Sequence, residues 1–145
     1  MTNTTTGRPT TSFGLLILRV VVGAVFAAHG AQKVFEFTIP GTVQAFAGMG
    51  APLPEIVGPG IAFLELIGGI LLILGLLTRP VAALLAIDMI GAIVLVHLSA
   101  GLWVGEGGYE FVAVLGAGAL ALAFTGAGAF AVDRVLLRGR ARVFA

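Results

Sequence analysis

Long apolar stretches, each interrupted by one or two charges, set the organisation of this chain. A membrane-spanning helix needs about 20 mostly apolar residues. Four segments meet that length: 13–35, 56–77, 80–100 and 109–130. Between the first two lies 36–55, rich in Gly and Pro (Pro40, Gly41, Gly48, Gly50, Pro52, Pro54), which reads as one long loop with a short amphipathic turn around 42–49. The segment Thr78-Arg79-Pro80 reads as a tight hairpin, with Pro80 opening the next helix. Trp103 and Tyr109 flank the loop 101–108 and suit a membrane interface.

The composition agrees with this pattern. Of 145 residues, 59% are hydrophobic and 10% charged, whereas a soluble domain carries about 25% charged residues. The expectation is one all-α domain, an integral membrane four-helix bundle over 13–132. A flexible polar N-terminus (1–12) precedes it and a basic tail (133–145) follows. Val25-Phe26-Ala27 resembles a weak leader-cleavage site, but Arg19 interrupts the would-be leader core, so the first span is expected to be retained.

Lys and Arg in the loops orient the spans. Arg8, Arg79, Arg134, Arg138, Arg140 and Arg142 fall on one side; Glu36, Glu55 and Glu106 fall on the other, with Lys33 near that boundary. Both termini are therefore expected in the cytoplasm, with the tail along anionic lipid. Net charge is +1, which gives no ground for a nucleic-acid partner. With no cysteine, the chain offers no disulfide or thiolate chemistry of its own. It holds no HExxH, no GxSxG and no metal-ligand cluster, so no metal is expected. Its 22 glycines make GxGxxG-like spacings uninformative.

The ionisable residues inside the spans are the candidate chemistry, because a charge in hydrocarbon is costly and marks a site by default. At 100° per residue, Arg19, Gly23, Phe26, Gly30 and Lys33 share one face of the first span. Gly58, Glu65, Gly69, Leu72, Leu76 and Arg79 share one of the second. Asp88, Ala92, Leu95 and Ser99 align in the third, and Glu110, Ala113, Ala117 and Ala121 in the fourth. Small residues beside the charges allow close helix approach, with the charges facing inward.

Depth then suggests partners. Arg19 lies about 9 Å and Asp88 about 12 Å from the cytoplasmic helix ends, which predicts an Arg19–Asp88 structural pair. Glu65, about 18 Å in, has no depth-matched partner. With His29 and Lys33 it forms the candidate quinone or proton site. Arg79, His97 and Glu110 are secondary polar candidates. Two histidines at one depth could ligate a haem, but ideal helix geometry turns His97 about 180° from Asp88, which disfavours it.

Two motifs, R-x9-H-G-x2-K (Arg19, His29, Gly30, Lys33) and E-x2-G-G-x5-G-x3-R (Glu65, Gly68, Gly69, Gly75, Arg79), are followed by Asp88, Glu110 and the segment 126–133. Together they resemble the DoxX family of small four-helix membrane proteins, over about 13–134. That resemblance implies a bacterial cytoplasmic membrane protein tied to redox systems. Some such proteins are quinone-reactive subunits of thiosulfate oxidation, or members of oxidoreductase complexes that answer oxidative stress. Cysteine-bearing relatives act as redox helpers, an activity this cysteine-free chain does not share. Three readings follow: a membrane subunit of a redox complex handling a quinone, with oxidoreductase partners; a scaffold without chemistry; or a proton or solute transporter built as a homo-oligomer.

Overall fold

A computed structural model describes residues 9–136, which are all-α. The chain runs α1 (Pro9–Ala31), a π-helical turn (Gln32–Glu36), α2 (Thr38–Gly48), α3 (Pro54–Leu74) and α4 (Thr78–Ala92). A second π-helical turn (Ile93–His97) follows, then short 3₁₀ turns at Leu98–Ala100 and Val104–Glu106, α5 (Glu110–Thr125) and α6 (Val132–Leu136). Three stretches are long and apolar enough to cross a membrane: Thr10–Glu36, Pro54–Leu74 and Thr78–Ala100. α5 is the shorter apolar helix, and at 16 residues it reaches about 24 Å.

Several expected boundaries move, for local reasons. The first helix is already formed at Pro9, the first described residue, rather than beginning at residue 13. The 36–55 loop holds an 11-residue helix, α2, instead of one turn. The fourth span stops at Thr125 instead of 130. There Gly126 and Gly128 take φ of +78° and +77°, which an L side chain rarely adopts. The basic residues Arg8, Arg138, Arg140 and Arg142 lie outside the described residues.

α1, α3, α4 and α5 contribute to one apolar core, in which Phe26, Leu72, Leu85 and Leu122 are fully buried. α1 packs most closely on α3, and α4 on α5. Glycine makes the α1–α3 approach backbone to backbone. A Cβ at Gly23 would lie 2.6 Å from the Gly69 carbonyl oxygen, and one at Gly30 would collide with the Leu66 backbone. The exposed side chains are largely Phe, Leu, Ile and Val, as a lipid-facing surface requires.

The face expected for the fourth span is corrected. α5 buries Val112, Leu115, Ala119 and Leu122, while Ala117 and Ala121 are exposed. Small residues surround this helix on every side, so only Glu110 suggested its phase, and Glu110 serves a different purpose. Its Oε1 accepts the Val104 amide at 2.6 Å and ties down the 101–108 segment.

Candidate functional site at the α2 end of the helices

The ionisable groups form two clusters, one at each end of the helices. Along α1, nothing ionisable lies between Arg19 and His29; along α3 and its turn, nothing between Glu65 and Arg79. The same holds from Arg79 to Asp88, and from Glu110 to Asp133.

The first cluster sits where α3 ends. Gly75 takes φ +71°, and the Leu76 amide donates to the Leu71 carbonyl at 2.9 Å, which closes α3 with a Schellman-type turn. The last carbonyls of a helix lack intrahelical donors and carry its negative dipole end. Arg19, 2% exposed, fills that need. Its Nη1 donates to Ile73 O at 3.2 Å and Leu72 O at 3.4 Å, and its Nη2 donates to Phe130 O. Buried Asp133 supplies the opposing charge, and its backbone amide donates to Gly75 O at 3.2 Å. A Cβ at Gly75 would strike the Arg19 guanidinium.

The expected Arg19–Asp88 pair is therefore not formed. Cα depth matched them, but a long arginine side chain reaches along the helix, and here it runs toward the chain termini. Arg79, a secondary candidate, lies at this same end on the first turn of α4, away from the cavity described next.

The second cluster is built one helical turn above the glycine contact. Gly30 and Leu66 hold α1 against α3; Lys33, one turn past Gly30, meets Glu65, the residue next to Leu66. The Lys33 Nζ donates to Glu65 Oε2 at 2.5 Å. Glu65 is 5% exposed and Lys33 20%. Asp88, from α4, lies beside both as an electrostatic neighbour. Its Oδ2 is buried without a hydrogen-bond partner. Three helical elements thus deliver two carboxyls and one ammonium to one place.

These groups face a cavity of about 670 Å³. Phe26, Met89 and Leu115 form its floor side, while Phe46 of α2 and Phe111 of α5 contribute aromatic walls. His29 lines it too, its ring tilted against Phe111 with centroids 5.8 Å apart. The expected trio of Glu65, His29 and Lys33 is brought together in this cavity.

His97 is brought there as well, against the ideal-helix expectation. The π-helical turn over Ile93–His97 carries more residues per turn than an α-helix and resets the angular phase after Ala92. The other π-helical turn, Gln32–Glu36, holds Lys33. Thr42, 1% exposed, donates from Oγ1 to the Lys33 carbonyl oxygen at 2.8 Å, so α2 fixes that turn. Sequence reasoning missed Thr42; its one signal is a hydroxyl on an otherwise apolar helix face. Among the described residues no group of three or more His, Cys, Asp or Glu is placed to hold a metal.

Such an arrangement defines a multi-pass all-α membrane protein with an ionisable cluster set in an apolar cavity. The chain belongs to the DoxX family: the DoxX family model matches residues 14–98. A second model, described as TQO small subunit DoxD, matches 59–143. CatD of Bacillus subtilis, provisionally named an oxidoreductase, is 40% identical over 127 residues, covering 88% of this chain and 90% of CatD. The inner membrane protein YphA of Escherichia coli is 37% identical over 126 residues, 83% of this chain and 88% of YphA. The inner membrane protein YqjF of the same organism is 30% identical over 123 residues, 85% and 92% of the two chains. No solved structure matches.

Proposed function

We propose that the cavity takes a quinone-type carrier from the bilayer and that the chain serves as a membrane subunit of an oxidoreductase assembly. The observation that carries this reading is the convergence of Lys33, Glu65 and Asp88 on one apolar cavity of about 670 Å³. Ligand pockets of about 300–1,000 Å³, mostly apolar with a few placed polar groups, are the usual form of a small-molecule site. A quinone supplies two-electron, two-proton chemistry when bound. The residues present fit it. Lys33 and His29 offer hydrogen bonds to ring oxygens, and aromatic side chains offer stacking faces. The Glu65–Asp88 pair holds one more acidic group than Lys33 balances, and a proton can complete that balance.

The DoxD description names a subunit, and CatD is provisionally named an oxidoreductase; both support a partner-dependent role. The electron donor would then sit on a partner protein. The excess of Arg in the 78–80 turn and after α5 supports a topology with both chain ends in the cytoplasm and α2 and the 98–109 segment on the opposite face.

Purification in mild detergent followed by mass spectrometry of the extracted lipids tests it. The expected result is a quinone retained with the protein, and a quinone-linked oxidation lost when the gene is deleted. Protein that retains no quinone, from a strain whose quinone-linked oxidation survives deletion, removes the basis of the proposal.

A further inference from the structure

His97 is placed as no packing residue needs to be. It sits at the end of the π-helical turn, on the cavity wall, and donates from Nδ1 to the Gly107 carbonyl oxygen at 2.7 Å. A carbonyl only accepts, so Nδ1 carries the proton and the neutral ring leaves Nε2 as an acceptor. The ionisable groups around the cavity are His29 (α1), Lys33, Glu65 (α3), Asp88 (α4) and His97; α2 and α5 contribute none to its wall. His29 lies tilted against Phe111 and makes no hydrogen bond to the 101–108 segment. His97 alone of these groups is bonded to the 101–108 segment, at the α2 end.

The other direction is closed. Below the cavity floor, Leu72, Leu85, Ala82, Ala119 and Leu122 are all fully buried, and they separate the carboxyl pair from Arg19 and Asp133. Among the described residues no ionisable side chain crosses that layer. The Glu65–Asp88 pair shares its cavity with His97 toward the α2 end and meets an apolar barrier toward the termini.

We infer that His97 is the proton-exchange group of this cavity, connecting the Glu65–Asp88 pair to the membrane face that carries α2 and the 98–109 segment. This rests on the reading of the Lys33–Glu65–Asp88 cluster as the working site. In the step, the carboxyl O–H bond breaks, the proton crosses the cavity by way of water, and an N–H bond forms at His97 Nε2. The carboxylate left behind faces the Lys33 ammonium; the imidazolium then releases its Nδ1 proton to water at the Gly107 end, and return of the ring to the Nδ1–H tautomer resets it. Any proton-releasing reaction in the cavity would discharge on that face.

Infrared spectroscopy of the full protein in proteoliposomes, exchanged from H₂O into D₂O, tests the inference. A carboxylic-acid carbonyl band removed by Glu65→Gln or Asp88→Asn identifies the pair. In His97→Phe the band should persist and its deuterium shift should slow by about a hundredfold, with added imidazole restoring the rate. Sidedness is read with a membrane-impermeant maleimide, since the natural chain has no cysteine. Ala92→Cys, on the cavity wall, should label from the same side as Glu106→Cys, and Ala82→Cys from neither. Unchanged exchange in His97→Phe, or labelling of Ala92→Cys from the opposite side, overturns the inference alone. The absence of any acid band that those carboxyl variants remove overturns the working-site reading with it.

Discussion

Arg19 and Glu65 are both charged residues buried in lipid-spanning helices, yet their surroundings are opposite. Arg19 spends its donors on the backbone carbonyls of Leu72, Ile73 and Phe130, where α3 ends. Glu65 meets other side chains, Lys33 and Asp88, and all three face a cavity. A buried charge consumed by backbone groups fixes the frame. A buried charge balanced by side chains beside open space can change partner, and that freedom is what chemistry requires. Burial alone does not separate the two roles; the identity of the partner does.

The comparison breaks first at Arg19. Arg19→Leu leaves the terminal carbonyls of α3 without donors, and hydrogen bonds to a charged group are worth about 1.5–3 kcal/mol each. The expected outcome is loss of folded protein or a large fall in melting temperature in detergent. Arg19→Lys should recover little, because one ammonium cannot span α3 and Phe130 as a guanidinium fork does. Recovery of full stability in Arg19→Lys would show that charge, rather than bridging geometry, matters there.

Next in size is Gly69→Val. A Cβ at Gly69 already meets the Ala27 backbone and the Gly23 carbonyl. Overpacking costs about 1–3 kcal/mol. The change should also lever α1 from α3 and part Lys33 from Glu65. Thermal unfolding measures the first effect. A crosslink between cysteines at positions 33 and 65, formed in the glycine background and lost in the valine one, measures the second.

Glu65→Gln should perturb the fold less. Asp88 remains beside Lys33 as a counter-charge, and Lys33 is one-fifth exposed at the cavity. A stability change well below that of Arg19→Leu is expected, because Asp88 keeps Lys33 from being left as an unpaired buried charge, measured by the same unfolding. A collapse comparable with Arg19→Leu would move Glu65 into the frame. The smallest effect belongs to Glu110→Ala, which removes an acceptor from the partly exposed Val104 amide. It should cost about 0.5 kcal/mol, seen as faster amide exchange confined to the 101–108 segment.

The sequence makes the spans and the charged residues legible because both depend on composition and length. It also makes the α1–α3 contact legible, since Gly23, Gly30 and Gly69 lie on the charged faces. What it hides depends on departures from ideal geometry. The π-helical turns at 32–36 and 93–97 follow no local propensity, and they decide where Lys33 and His97 sit. A fixed 100° step carried past Ala92 turns His97 away from the cavity that it lines. The Arg19–Asp88 expectation failed for another reason: Cα depth ignores the reach of a long side chain, and a helix C-terminus within that reach is a better partner than a carboxylate farther along. α5 was misphased because alanine and glycine on all its sides leave no amphipathic stripe to read.

The central claim is that the Lys33–Glu65–Asp88 cluster works while the Arg19 cluster holds the frame. Its most direct test is the quinone content per folded protein of Glu65→Gln, taken with its melting temperature. Roughly tenfold less quinone is expected, a loss of about 1.4 kcal/mol, because Gln lacks the charge that holds the Lys33 donor at the cavity, at a near wild-type melting temperature. Wild-type quinone content in Glu65→Gln, or a loss that appears only as the protein unfolds, would contradict it.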